Sequence, residues 1–440
     1  MIRLIVLYFL FLPFSSNAQK SFKFSKNIKK ETVSFQFINN LIILPIEVNG
    51  VELSFILDTG VSKPILFNLA DDSLNIKNVK EVFIRGLGEG DAIKAYHSKG
   101  NRFKINKIYN NDQDLYVVLD EDIDLSPNLG IPVHGIIGHD FIKDFVLDIN
   151  YVSKKIKFYE STSYKYKKCK KCEQFDLEIF RDRPYVLSNV TLNDSVNTQV
   201  KLLIDSGSSD ALWLFEDKAK KINVPKNNFK DFLGRGLSGS IYGERSRVNN
   251  FNLGTFQLED AKVSFPDSVS IRYIKKENNR NGSLGAEILK RFHVILDYNS
   301  KKITLRKNAN FKSPFKYNMS GIELQHNGIR FVKELESNLG NEVNTIGGRA
   351  RGITALAELN YKVALHPAKE IAEVREGSPA EIAGLQKGDI LVTINNRETY
   401  RYSLQEVNEL LNEKPGKKIK LTVEREGKEL KFEFRLKKVL

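Results

Sequence analysis

Cysteine is nearly missing from this chain: its 440 residues hold two, Cys169 and Cys172. One pair cannot make a disulfide framework, and with no histidine beside it the pair supplies no zinc site. A redox enzyme would need Cys169-Lys170-Lys171-Cys172 to open a helix in a βαβ unit. That context is missing, so the pair reads as structural or incidental. The six histidines include no His-Glu-x-x-His, and Gly-x-Ser-x-Gly does not occur. Metalloprotease and α/β-hydrolase chemistry therefore lose their key residues. Beyond residue 18 no apolar run approaches the roughly 20 residues of a membrane helix. Sustained helical periodicity is scarce too, which leaves a mainly β reading.

What is present begins with the first 18 residues. Arg3 is the only charge before the apolar run 4–14, and Ser16-Asn17-Ala18 supplies the small residues of a cleavage site. Residues 1–18 read as a secretory signal, which implies a soluble mature protein in the periplasm, cell envelope or extracellular space. No cysteine follows the cleavage site, so a lipoprotein anchor is not expected. The net charge is +14, from 68 Lys+Arg against 54 Asp+Glu. This bears on solubility and partners, not on fold. The basic, aromatic stretch 164–168 can suit nucleic acid. In an exported protein it reads as a solvated linker, and no nucleic-acid partner is expected.

An internal repeat organises the rest. Asp58-Thr59-Gly60 ends an apolar strand, and Asp205-Ser206-Gly207 ends another 147 positions later. Gly138 and Gly285, each opening a similar octapeptide, are again 147 apart, as are Ser153-Lys154-Lys155-Ile156 and Ser300-Lys301-Lys302-Ile303. Three blocks in one register imply two homologous lobes, taken as 19–166 and 167–312. In the first lobe, residues 44–48 and 51–57 flank Asn49-Gly50, a hairpin signal; Asn193-Asp194 takes that place in the second. Short helices are expected at 138–145 and 285–292.

An apolar strand running into Asp-(Thr/Ser)-Gly sets a carboxylate at a strand end, and the glycine allows two such loops to approach closely. The hydroxyls of Thr59 and Ser206 can bond across to the opposite loop. Two carboxylates held together cannot both ionise and share one proton, so one can serve as base and the other as acid. With these residues the chain resembles the aspartic peptidases, pepsin-like and retropepsin-like. Ile136-Ile137-Gly138 matches the family's second element, Ser283-Leu284-Gly285 matches it more weakly, and Gly138-His139-Asp140 resembles the opening of the short helix in retroviral proteases. The resemblance implies two acid-protease β-barrel lobes forming a pseudo-dimer within one chain, hence a monomer. It implies Asp58 and Asp205 as catalytic, Thr59, Gly60, Ser206, Gly207 and Ser208 as loop support, a peptide or protein substrate, and neither metal nor cofactor.

Two glycine-rich stretches fit mobile flaps over a substrate: Gly86, Gly88 and Gly90 in the first lobe, Gly234, Gly236 and Gly239 in the second. No helix pattern follows either stretch, which disfavours a phosphate loop. Val61 stands where Ser208 stands in the second lobe. Asp205 is therefore expected to be the more hydrogen-bonded and more readily ionised carboxylate.

Residues 313–440 differ in pattern. Ser378 to Glu381 reads as a capping box with Pro379 at the first helical position, and Ser403 to Glu406 as a second. Gly388-Asp389 leads into a strand, and a terminal hairpin turns at Glu426-Gly427. This resembles a bacterial-type PDZ domain, an α+β module that takes C-terminal peptides on a sheet edge beside a helix, here 403–412. An insertion containing 346–352 interrupts it. The whole reads as an exported aspartic endopeptidase whose PDZ domain assists recognition. The rival is a non-catalytic peptide-binding or scaffold protein that keeps the protease fold.

Overall fold

The computed structural model describes residues 21–67, 74–120, 123–192, 197–272, 274, 278–335 and 361–440. The signal-like segment 1–18, the Asn193-Asp194 turn and the stretch 346–352 lie outside the described residues. The described chain is mainly β, with short helices.

Each lobe closes a six-stranded barrel. In lobe 1 the ring runs Val51–Leu57, Gly135–Ile137, Ile65–Leu66, Ile108–Val117, Ile93–Ile105 and Leu41–Val48, which pairs back with the first strand. In lobe 2 it runs Asn197–Asp205, Gly282–Gly285, Leu212–Leu214, Phe256–Pro266, Gly239–Leu253 and Arg183–Thr191. The strand Leu41–Val48 shows why such runs are almost wholly apolar. Ile42, Leu44, Ile46 and Val48 face the main core, while Leu41 and Ile43 face a second apolar cluster. Period-two alternation here separates two buried faces, not a buried from a wet one. Asn49 and Gly50, at φ 49° and 97°, make the left-handed turn joining it to the next strand.

A third, six-stranded sheet ties the lobes together, three strands from each: Lys30–Ser34, Lys155–Glu160, Phe145–Asn150, then Phe292–Asp297, Lys302–Lys307, Cys172–Asp176. At its centre Asp148 sits opposite Ile295, its own repeat equivalent. The pseudo-twofold axis therefore passes through this pair, and the 147-residue offset becomes a spatial symmetry. Cys169 and Cys172 form a disulfide, their Cα atoms 5.3 Å apart, at the turn entering the sheet.

The C-terminal unit has its own core around Ile322, Leu391, Val407 and Leu421. Its helices Pro379–Ile382 and Leu404–Leu410 begin at Ser378 and Ser403, whose hydroxyls accept the N–H of Glu381 and Glu406. The second box is complete. In the first, the Glu381 carboxylate takes the N–H of Gly377 instead of Ser378. The long strands Ile322–Leu335 and Tyr361–Val374 pair antiparallel along their lengths. Among the described residues no helix is long and apolar enough to cross a membrane.

Candidate active site

Asp58 and Asp205 stand at the ends of matching barrel strands, next to the pseudo-twofold axis. In each lobe a second strand runs parallel to the Asp strand and holds the loop from below. Ile137 O accepts the Asp58 N–H at 2.9 Å, and Leu202, Leu203, Ile204 and Asp205 pair with Gly282, Ser283, Leu284 and Gly285. The glycine ending this strand is sterically required. A Cβ on Gly138 would lie 2.1 Å from Val61 O, and one on Gly285 would lie 2.2 Å from Asp210 O.

The two loops are locked by four crossing hydrogen bonds. Thr59 N–H donates to Ser206 Oγ at 3.1 Å, and Ser206 N–H to Thr59 Oγ1 at 3.0 Å. The hydroxyls then donate onward, Thr59 to Ile204 O at 2.6 Å and Ser206 to Leu57 O at 2.8 Å. All are buried, so each bond satisfies a group that water cannot reach. Glycine brings the carboxylates together. A Cβ on Gly207 would stand 2.3 Å from Asp58 Cγ, and one on Gly60 would stand 3.1 Å from Asp58 Oδ1 and 3.6 Å from Asp205 Oδ1.

The carboxylates are not equivalent. Gly60 N–H donates to Asp58 Oδ1 at 2.6 Å. Burial and then the Asp205 charge push the Asp58 carboxyl from 3.8 up to about 7, opposed by Gly60, Arg183 and Arg280. Burial raises Asp205 as well, opposed by the Arg280 charge and by the nearby Ser208 and Gly207 N–H groups and Ser283 hydroxyl. Held together, the two carboxyls titrate as one coupled pair that shares a proton.

The glycine-rich tips meet over the cleft. Ser238 N–H donates to Leu87 O at 2.9 Å, and Gly90 N–H donates to Ser238 O at 2.7 Å. The tips also exchange leucines. Leu237 of lobe 2 packs on the lobe 1 cluster that holds Ile136 and Val61, and Leu87 of lobe 1 packs with Trp213, Leu233 and Ile241. Gly86, Gly88, Gly90 and Gly236 lie where the tips touch: a Cβ on Gly236 would be 2.1 Å from Leu87 O, and one on Gly88 would be 2.4 Å from Ser238 O. Gly234 and Gly239 have open space around them and serve by their positive φ, 145° and 105°.

Parts of the chain match known protein families. Both lobes match the aspartyl protease family. The matched residues are 44–141 and 188–288, and residues 370–425 match the PDZ domain. Among solved structures, the aspartic proteinase from Irpex lacteus is similar at 12% identity, covering 64% of this chain and 99% of that one, with a TM-score of 0.40. No curated protein matches the chain.

Several residues at the site escaped the motif reading. Arg183 Nε donates to Gly60 O at 3.0 Å. Arg245 joins Asp210 at 2.9 Å to Asp231 at 2.7 Å, fixing the base of the lobe 2 flap. Arg280, whose charge favours the ionised form of both carboxyls, donates to Ser283 Oγ. Aligning the repeats residue by residue would have drawn attention to Arg280, because Val133 occupies its place in lobe 1.

The PDZ unit meets lobe 1 at its own candidate groove. The edge strand Ile322–Leu335 runs beside the helix Leu404–Leu410, and the lobe 1 helix Ser126–Leu129 packs on that strand. Gly130, at φ 70°, closes the contact. A Cβ there would lie 2.8 Å from Leu404 Cβ and 3.4 Å from His326 Cε1.

Proposed function

We propose that this protein is an exported aspartic endopeptidase. The observation that carries the reading is the locked pair of loops, which presents two inequivalent carboxylates on one axis beneath two meeting flaps. Asp205, ionised, takes a proton from water as the water oxygen attacks the scissile carbonyl carbon. Asp58 gives its proton to the carbonyl oxygen. As the tetrahedral diol collapses, Asp205 gives its proton to the amide nitrogen, the C–N bond breaks, and a diol hydroxyl returns a proton to Asp58 as the new carboxyl group forms. No covalent enzyme intermediate arises. The deciding experiment is digestion of a peptide library across pH by the purified mature chain. Cleavage that a statine-type transition-state analogue blocks supports the reading, and absence of cleavage at every pH overturns it.

The Asp58 carboxyl near 7 sets a pH dependence. Activity is expected to decline as the pH rises past about 7, where Asp58 loses the proton it must donate. Stability follows the same group. Its folded value lies above the unfolded 3.8, so its contribution is complete below pH 3.8 and is lost as the pH rises through about 7. Thermal unfolding across this window, with and without Asp58→Asn, measures that contribution.

Export is supported by the signal-like residues 1–18 and by the Cys169–Cys172 disulfide, which suits an oxidising compartment. The PDZ unit is the recognition module for apolar C-terminal peptides, and lobe 1 competes for its groove. Gly130→Asn keeps a residue that tolerates left-handed backbone while adding a Cβ against Leu404. It is expected to raise affinity for such peptides several-fold by fluorescence anisotropy. Unchanged affinity would show that lobe 1 does not compete.

A further inference from the structure

Two polar groups of the PDZ unit are left unsatisfied where its sheet edge meets its helix. Strand Ile322–Leu335 is the edge of the sheet, and Tyr361–Val374 pairs with it antiparallel. Leu324 stands opposite Ile371, and both lie in the core cluster that holds Leu404 and Val407. Two residues along each strand, the register brings His326 opposite Lys369. The pleat puts alternate residues on one face, so this pair continues the face that carries Leu324 and Ile371. The helix Leu404–Leu410 begins beside it: a Cβ on Gly130 would meet both Leu404 Cβ and His326 Cε1, at 2.8 and 3.4 Å.

Neither member of the pair has its polar head answered. The Nε2 atom of His326 is buried with no hydrogen-bond partner. Lys369 is 5% exposed, yet among the described residues it makes no ion pair and no side-chain hydrogen bond. A cation taken out of water is costly unless it is paired. Acids near the pair are committed elsewhere. Glu406, on the helix, accepts the Ser403 N–H at 2.7 Å and the Ser403 hydroxyl at 2.9 Å in its capping box. Glu370, on the opposite face of its strand, accepts from Gln325 at 3.2 Å and from Asn327. Lobe 1 covers the pair without answering it. Its helix and turn bring Ser126, Pro127, Asn128, Leu129 and Gly130, none of them an acid.

We propose that His326 and Lys369 form a binding site for an acidic side chain of a peptide laid along the edge strand, a site that rests on the PDZ unit being a recognition module. An added strand bonds to the edge through its main chain, which carries no sequence preference. Its side chains alternate, so every second one faces the helix and this pair. A carboxylate there accepts from the Lys369 ammonium and from His326 when Nε2 carries a proton. An amide of the same shape brings one oxygen and no charge. The apolar C-terminus is then one half of what the module reads, and an Asp or Glu upstream of it is the other.

The test is fluorescence anisotropy at pH 7 with labelled heptapeptides that end in an apolar residue, on the full chain and on its Gly130→Asn variant. A Glu is moved through the positions before the last residue, and each peptide has a Gln counterpart. At the position that meets the pair, Glu is expected to bind about tenfold tighter than Gln. Lys369→Met should close that gap, Lys369→Arg should keep most of it, and His326→Phe should narrow it. Methionine fills the same space without the unpaired charge, so Lys369→Met should melt no lower than the wild type. Peptide binding with no preference for Glu at any position overturns this proposal and leaves the recognition module standing. A preference that survives Lys369→Met, or a clearly lowered melting temperature in that variant, also overturns it. If no peptide binds, even to Gly130→Asn, the recognition module falls and this site falls with it.

Discussion

Asp58→Asn and Asp205→Asn are each expected to abolish hydrolysis of an unfolded protein substrate, a loss of roughly 1,000-fold or more. Asparagine keeps the shape of the carboxyl, so the locked loops remain. What disappears is the coupled proton: with Asn at 58 no acid faces the carbonyl oxygen, and with Asn at 205 no base faces the water. Folding is not expected to suffer. The Asp58 carboxyl is pushed up by burial and by the Asp205 charge, so replacing it removes an unfavourable ionisation at neutral pH. The measurement pairs substrate cleavage with thermal unfolding at pH 7. Full activity in both variants would remove the pair from the chemistry. Lost activity with a sharply lowered melting temperature would point to a structural role.

Gly207→Ala is expected to inactivate the protein, whereas Gly60→Ala should be distinctly milder. The two glycines are repeat equivalents, yet the space beside them differs. An added methyl at 207 would overlap Asp58, at 2.3 Å from both Cγ and Oδ2. Relief requires moving the carboxylate itself, since it is pinned by Gly60 N–H at 2.6 Å. At 60 the nearest atom is 3.1 Å away, a distance that a shift of a few tenths of an ångström relieves. Overpacking of this kind costs about 1–3 kcal/mol. Urea unfolding should show the larger part of that range for Gly207→Ala and little for Gly60→Ala. Equal activity in the two variants would contradict the asymmetry of the pair.

Much of the fold could be read from the sequence because its signals are local or periodic. Asn49-Gly50 must turn left-handed, Ser403 and Glu406 must cap a helix, and a glycine must follow each parallel support strand. The 147-residue offset carried more than these. It implied two lobes, and the pairing of Asp148 with Ile295 turns that offset into a symmetry axis. Less of the site could be read. Arg183 and Arg245 belong to no motif, and each acts on residues distant in sequence. The exchange of Leu87 and Leu237 between lobes has no signature, since a leucine in a glycine-rich tip looks like any exposed apolar residue. Contact between Gly130 and Leu404 joins segments from different domains, and no periodicity links them.

By itself, the sequence determined the repeat, the mainly β architecture, the PDZ-like tail and the residues able to form a carboxylate pair. These follow from hydrophobic period, turn chemistry and motif register, all of which act over a few residues or are copied at a fixed spacing. Only the tertiary structure decided what surrounds each carboxylate, how the flaps latch and what lies in the PDZ groove. The physical reason is that proton affinity and steric fit depend on what surrounds a side chain in space. The buried Arg280, set where the other lobe has Val133, is silent in any local reading and acts only once the barrel has closed around it.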